Sequence, residues 1–445
     1  MTKFNQEKLI RDALGSPIPS QGWDNVKQVF VVPGGEGVDF TKKKLIRDAV
    51  GAVIPQYWDG EKGGFAAITS GNRQSKETIN QGRLMTDFSR WQLWYGVVSQ
   101  DTEHVKVGQS SVKVTTNDAN TTSASRLRSV QFNLSKTKTM MIRFYVEDVN
   151  KLSNIELRLS SVDNMASYLS WKTTKWKVIS GWNEVMIPLS KLNVVGNESL
   201  NNTITTLQIS VTGDHTFVVF DGVYTNRISK GNVLLHFDDG FISQYTNAFP
   251  LMLARGFVGS VGVISGSVGT TGYMNLAQLK ELYNYGWDLF NHTVTHQDLS
   301  TLSINRIQEE LDVCREWLIS NGFSRTADFV AYPYGGYNND VLEVMKNYKL
   351  GRSIREEYEI LPPIQPHLLK TVILYNNVEE ITFRNAIDYV IETGATVIFL
   401  LHKVEDVNKD EMNYPTEKFK NMLDYLFSKQ EELNVLSWSE YANMF

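Results

Sequence analysis

The chain has 445 residues, a formal net charge of -5, 42% hydrophobic and 21% charged side chains, which is the make-up of a globular protein holding two or three domains. The acidic balance, without any basic cluster interleaved with aromatics, argues against a nucleic-acid or anionic-membrane partner. No run of about eighteen apolar residues occurs, so no membrane span is expected, and the single cysteine, Cys314, excludes both an intrachain disulfide framework and a thiolate metal site.

The N-terminus, Met-Thr-Lys-Phe-Asn-Gln-Glu-Lys, lacks an apolar h-region, so no signal peptide is expected. Residues 1–80 contain an internal repeat. Lys-Leu-Ile-Arg-Asp-Ala-Leu-Gly-Ser-Pro-Ile-Pro at 8–19 recurs as Lys-Leu-Ile-Arg-Asp-Ala-Val-Gly-Ala-Val-Ile-Pro at 44–55. Each copy leads to a Trp-Asp pair, Trp23-Asp24 and Trp58-Asp59. The spacing within each copy predicts a short helix ended by Gly15 or Gly51. Two such helices cannot enclose a core, so the segment reads as either a loose leader or a docking element for a partner protein.

From 83 to 228 short β-type runs alternate with turn residues: Ser111–Thr116, 140–146, 155–160, 182–188, 206–211 and 217–223. Their apolar–polar alternation predicts an antiparallel β-sandwich. The Gly181-Trp182-Asn183 and Phe220-Asp221-Gly222 positions resemble carbohydrate-binding jelly rolls. Trp91, Trp94, Trp171 and Trp176 are aromatics that would stack on sugar if exposed, and that otherwise belong to the packing.

From 231 to 445 the texture changes to strand and helix in alternation. Continuous apolar runs at 233–237, 258–264, 287–290, 329–332, 371–374 and 397–401 predict parallel strands buried on both faces. Helices are predicted at 246–255, 276–285, 304–320, 339–348, 382–393 and 416–432, giving a (β/α) barrel of seven or eight strands. Cys314, in an amphipathic run, reads as a core thiol. The glycine-rich 262–272 stretch lacks a Walker lysine and reads as a loop.

The polar motifs fall at strand ends. His236-Phe237-Asp238-Asp239-Gly240 follows one strand, and His292-Thr-Val-Thr-His296 follows another. Each has a bland explanation alone: Asp-Asp-Gly is usually a turn, and a single His after a strand is usually structural. Together, one carboxylate and two imidazoles suffice for an open catalytic divalent-metal site, and the second carboxylate is left to act as a base.

With four ordered blocks, the C-terminal part resembles the NodB-homology polysaccharide deacetylases, the family 4 carbohydrate esterases. The blocks are Phe237-Asp238-Asp239-Gly240, His292-Thr-Val-Thr-His296, Tyr332-Pro333-Tyr334-Gly335 and Phe399-Leu400-Leu401-His402. The resemblance implies that Asp239, His292 and His296 ligate a divalent metal, most often Zn2+. It makes Asp238 the general base on the attacking water, and His402 the general acid for the leaving amine. The Tyr334 backbone N–H would serve the oxyanion, and Leu401 would help to wall the acetyl pocket.

Three departures stand out. Ala331 occupies the place where many members have a base-orienting Arg. The family's fourth motif has no clear counterpart, and Arg352, Arg355 or Glu356 is expected to take over its orienting role; His236 stands where Thr is usual. The Phe-x-x-Tyr-Pro-Tyr-Gly form is similar to deacetylases of poly-N-acetylglucosamine, so an N-acetylglucosamine polymer of the bacterial surface is the expected substrate. The N-terminal repeat resembles segments of tail proteins in phages of Gram-positive bacteria. That implies a virion-tail location, tail-protein partners and a homotrimer. An O-acetyl esterase and a non-catalytic carbohydrate-binding adhesin are the alternatives.

Overall fold

The computed structural model describes residues 91–225, 230–406 and 411–445, together with short strand segments before residue 87. In the second repeat, Ile46–Arg47 pairs antiparallel with Val53–Ile54, where the spacing predicts a helix. The β-branched Ile46, Val53 and Ile54 favour that extended backbone. Both Trp-Asp pairs lie in hairpin strands, Gly22–Asp24 against Val29–Val31 and Gln56–Asp59 against Gly64–Ala67. The described residues of the second copy are thus paired strands; the predicted helix of the first copy lies outside the described residues.

Residues 91–225 with Arg83–Thr86 form two antiparallel sheets of six strands. In Leu152–Ser160, Ile155, Leu157 and Leu159 point into the shared core while Glu156 and Arg158 point out, the period of two that a half-buried strand requires. Of the four candidate sugar-stacking aromatics, Trp91 is buried in this core and Trp171 packs against it; Trp94 is 43% and Trp176 68% exposed.

The C-terminal barrel has strands β1 (Gly231–Phe237), β2 (Ser260–Val263), β3 (Asp288–Asn291), β4 (Phe329–Ala331), β5 (Leu350–Glu356), β6 (Leu369–Ile373), β7 (Thr396–Leu401) and β8 (Leu433–Leu436). All pairings are parallel. β1 to β7 close a ring through β1–β2 and β1–β7, and β8 pairs with the N-terminal half of β1. β5 and β8 are absent from the sequence expectation. β5 carries Arg352, Ser353, Arg355 and Glu356, and Asn434 interrupts β8, so neither presents a continuous apolar run. Gly262, predicted in a loop, lies inside β2.

The connecting helices are α1 (Phe249–Leu253), α2 (Leu276–Asn284), α3 (Ile304–Ser320), α4 (Asn339–Met345), α5 (Glu380–Thr393), α6 (Thr416–Ser428) and α7 (Trp438–Ala442). Alternate strand residues divide between two layers. Val233, Leu235, Phe237, Val397, Phe399 and Leu401 pack outward against residues of α5 and α6. Leu234, Phe290, Phe329, Ile398 and Leu436 pack inward, and Trp438 and Tyr441 of α7 join them inside the barrel. Leu401 therefore does not line an acetyl pocket, because its parity sends it to the helix layer. Leu400 takes the inward position. Cys314 is buried, and burial pushes its thiol up to about 11, as a core role requires.

Sandwich and barrel share packing. Met141 and Met186 join the outer barrel core, the Tyr389 hydroxyl donates to the Met186 carbonyl at 2.5 Å, and Gln365 Nε2 donates to the Trp182 carbonyl at 2.6 Å.

Candidate metal-dependent hydrolase site

The inward parity of β1 that buries Leu234 and His236 brings Asp238 to the mouth of the barrel; the same parity in β7 brings His402 there. His292 and His296 follow β3, and Tyr334 follows β4. Every predicted site residue thus lies at the C-terminal end of a barrel strand, where such barrels place their chemistry.

The backbone is bent to do this. Asp239, Thr293, His296 and Tyr334 all have φ between 58° and 73°. They are four of the eight left-handed non-glycine residues described. Each such residue costs about 1–3 kcal/mol, and such strain persists where surrounding structure over-determines it. Here the supports are visible. Asn291 Oδ1 accepts from the Thr293 N–H at 2.9 Å, and Thr293 Oγ1 accepts from the His296 N–H at 2.9 Å. Glu310 of α3 accepts from the Val294 and Thr295 N–H groups, both at 2.9 Å. In the Tyr-Pro-Tyr-Gly turn, Gly335 has φ 68° and a Cβ there would collide with Ile354, so only glycine fits.

Asp239 Oδ1 lies 3.4 Å from His292 Nε2 and 3.2 Å from His296 Nε2. One ligand atom from each of the three residues falls within 4.8 Å of the others. His292 Nδ1 donates to the Ala331 carbonyl at 2.8 Å, which fixes the tautomer that leaves Nε2 as a lone-pair ligand. Asp239 Oδ1 is buried without a hydrogen-bond partner. Burial works against a charge on His292, yet Asp238 and Asp239 outweigh it and raise its pKa. Burial and the neighbouring His292 pull His296 down to about 4. A buried carboxylate oxygen with no donor, facing two oriented imidazole nitrogens, is a charge arrangement that a divalent cation satisfies.

Asp238 is held differently. Arg352, fully buried on β5, donates through one Nη to both Asp238 oxygens, at 2.5 and 2.6 Å. Burial would raise the Asp238 pKa, but Arg352 and then His292 hold it far below the usual carboxylate range. The β4–β5 register pairs Ala331 with Arg352. The guanidinium missing from position 331 thus enters from the adjacent strand. Of the three residues expected to stand in for the fourth motif, Arg352 makes this contact with Asp238; Arg355 and Glu356 lie beyond it on β5.

His402 is mostly buried, burial lowers its pKa, and its Nδ1 has no hydrogen-bond partner. Its ring stacks on Tyr375 at 6.4 Å. Gln244 ties the two loops together by donating to the Asp238 carbonyl at 2.5 Å and the His402 carbonyl at 2.8 Å. Neither Gln244 nor Glu310 is foreseen from the sequence, since each is one polar residue among several in its run and belongs to no motif. The Tyr334 ring is 67% exposed and 4.8 Å from His296, at the rim of the site. His236 stays one layer below, between Phe290 and Trp438, with both ring nitrogens unpartnered, and does not join the cluster.

Residues 225–352 match the family model for polysaccharide deacetylase. A Bacillus subtilis (strain 168) protein, YxkH, which carries a polysaccharide-deacetylase name, is 29% identical over 125 residues, covering 28% of this chain and 44% of its own. The Staphylococcus aureus (strain MSSA476) poly-beta-1,6-N-acetyl-D-glucosamine N-deacetylase is 29% identical over 173 residues, covering 35% of this chain and 58% of its own. The chain thus spans about half the length of these relatives. Among solved structures, the Streptococcus pyogenes deacetylase PplD in complex with acetate is 29% identical, covering 31% of this chain and 62% of its own, with a TM-score of 0.30. The family match and the relatives thus make residues 225–352, from β1 into β5, similar to polysaccharide deacetylases, and two of the strand-end motifs, together with Tyr332-Pro333-Tyr334-Gly335, fall within that stretch.

Proposed function

We propose that this chain removes N-acetyl groups from an N-acetylglucosamine-containing polysaccharide of the bacterial surface. The observation that carries the reading is the division of labour between adjacent carboxylates. Asp239 faces two imidazole ligands, while Asp238 is kept ionised by a buried guanidinium. A divalent cation, most often zinc in such sites, would be held by Asp239, His292 and His296 and would supply Lewis-acid polarisation of the acyl oxygen.

Asp238 takes a proton from the attacking water, and Arg352 keeps it ready to do so. The turn bearing Tyr334 presents its backbone N–H to the developing oxyanion. His402, with a pKa lowered by burial, gives a proton to the departing amine nitrogen, which cannot leave as an anion. The N-acetylglucosamine polymer is favoured by the likeness to the Staphylococcus aureus relative.

An acetate-release assay on N-acetylated and O-acetylated surface glycans, with and without chelator, tests this reading. Release from the N-acetylated polymer that stops on chelation and returns with zinc is expected. Release from O-acetylated glycans alone would make the protein an esterase. No release from either, with no stoichiometric metal bound, would make it an adhesin.

We also propose a phage-tail setting, with tail proteins as partners and a trimeric assembly, on the N-terminal repeat alone. Mass spectrometry of purified virions and the solution mass of the chain test it; absence from virions rejects the setting.

A further inference from the structure

A cleft of about 640 Å³ opens on the sandwich, and the barrel chemistry makes no use of it. It is lined chiefly by Trp94, Arg126, Arg128, Asp163, Asn164 and Ser167. In strand Thr121–Leu127, Leu127 turns into the core, so Arg126 turns to the outer face. There it pairs across the sheet with Gln92 on one side and Gln208 on the other.

Arg126 is only 6% exposed. Its Nε donates to Gln208 Oε1 at 2.6 Å, and one Nη donates to the Asp163 carbonyl at 3.3 Å. Its guanidinium carbon sits 3.5 Å from the centroid of the Trp94 ring, and that of Arg128 sits 4.8 Å from the same centroid. Arg128 Nε lies 3.2 Å from Asp163 Oδ1 but makes no hydrogen bond there, although it is buried. Two guanidiniums therefore converge on one indole with one carboxylate, itself mostly exposed, to balance them. Burial, and then the charge of Arg128, work against the charge of Arg126.

Gln208 and the Asp163 carbonyl hold Arg126 in place, whereas Arg128 Nε has no hydrogen-bond partner in the sandwich. A half-exposed indole offers a face on which the C–H surface of a pyranose stacks, and paired guanidiniums are the natural partners of a carboxylate or phosphate. Asn164 and Ser167 on the rim supply hydrogen-bonding groups for sugar hydroxyls. We propose that this cleft binds an anionic sugar unit, its ring on Trp94 and its carboxylate or phosphate on Arg126 and Arg128. A glucosamine cation would meet two like charges there, so the cleft discriminates against deacetylated polymer. The site stands whether or not the barrel releases acetate, because no residue is shared between them.

Calorimetry on the full chain tests it, with four probes: a tetragalacturonate, a poly(glycerol phosphate), an N-acetylglucosamine tetramer and a glucosamine tetramer. At least one anionic probe is expected to bind, more weakly as NaCl rises from about 0.05 to 0.5 M. Trp94→Ala and Arg128→Ala are each expected to weaken it about tenfold or more. Trp176→Ala, at an exposed tryptophan outside the cleft, is expected to leave it unchanged. Which anionic probe binds identifies the acid group. The proposal falls if neither anionic probe binds at millimolar concentration. It also falls if a neutral or cationic tetramer binds equally well, or if both cleft variants, melting like the parent, bind as the parent does.

Discussion

Asp238 and Asp239 are chemically identical neighbours that the fold separates, one held by Arg352 and one facing two imidazoles, the base and the ligand of the proposed mechanism. Asp239→Ala or His292→Ala is expected to lose bound metal and activity together, because two remaining ligands cannot hold a catalytic cation. Asp238→Asn is expected to keep the metal and lose about 10²- to 10⁴-fold in turnover. Metal analysis beside acetate release separates these outcomes, and full activity in Asp238→Asn would remove the base from the scheme. Arg352 acts through Asp238 and is a positioning residue. Without its charge the carboxyl pKa rises, so the base is ionised only at higher pH. Arg352→Met is expected to move the acidic limb of the kcat–pH profile upward and to destabilise the fold by about 3–5 kcal/mol, since a buried carboxylate is left unpaired. Arg352→Lys should recover part of the limb. An unmoved limb in folded Arg352→Met protein would leave Arg352 a purely structural role.

At the scale of elements, the proposed metal ligands depend on a helix that carries none of them. Glu310 of α3 is buried and gathers the Val294 and Thr295 N–H groups, the Thr295 hydroxyl at 2.7 Å and Arg306 at 2.6 Å. That grip holds the left-handed turn between His292 and His296. Glu310→Gln replaces one acceptor oxygen with a donor facing other donors. It is expected to weaken zinc affinity about 10- to 100-fold. A competition titration with a zinc chelator reads this directly, and unchanged affinity would show that α3 merely packs. The β4–β5 pairing is a second element-scale device. Ala331 accepts from His292 at its carbonyl while Arg352 opposite reaches Asp238, so one register position serves both the proposed ligand and the proposed base.

For the molecule as a whole, sandwich and barrel meet across a buried ionisable patch. A small cavity between them is lined by Glu184, Met186, Glu357, Tyr358 and Tyr389. Nearby Glu359 accepts from the Lys370 N–H at 2.8 Å, with Lys370 Nζ 3.8 Å away. Burial pushes Glu359 up to about 7, Lys370 opposes this, and Glu184 and Glu357 add to it. Because the folded state holds this proton more tightly than the unfolded chain, the contribution is fully present below about pH 4.5. It is lost as pH rises through about 7. The Tm is therefore expected to fall by roughly several degrees between pH 5 and 8 through this group, and Glu359→Gln to flatten that fall. Parallel melting curves for both proteins check it; identical pH dependence would exclude Glu359 as the titrating group.

The amino-acid sequence determined the elements whose signals are local. Period-two alternation marked the sandwich, continuous apolar runs marked six barrel strands, and the motifs at their ends named Asp238, Asp239, His292, His296, Tyr334 and His402 before any coordinate. What it left open are relations between distant segments. Three polar residues on one stretch were equal candidates to stand in for the missing fourth motif, and only the strand pairing, which sets Arg352 opposite Ala331 and against Asp238, selects one. Leu401 and Leu400 look interchangeable in sequence, and strand parity alone sends the first to the helices. The repeat at 44–55 has helical spacing, yet Ile46–Arg47 is drawn into a strand pair, since marginal short helices yield to pairing. Composition and spacing are read along the chain, whereas register, face and charge neighbourhood exist only once strands lie side by side.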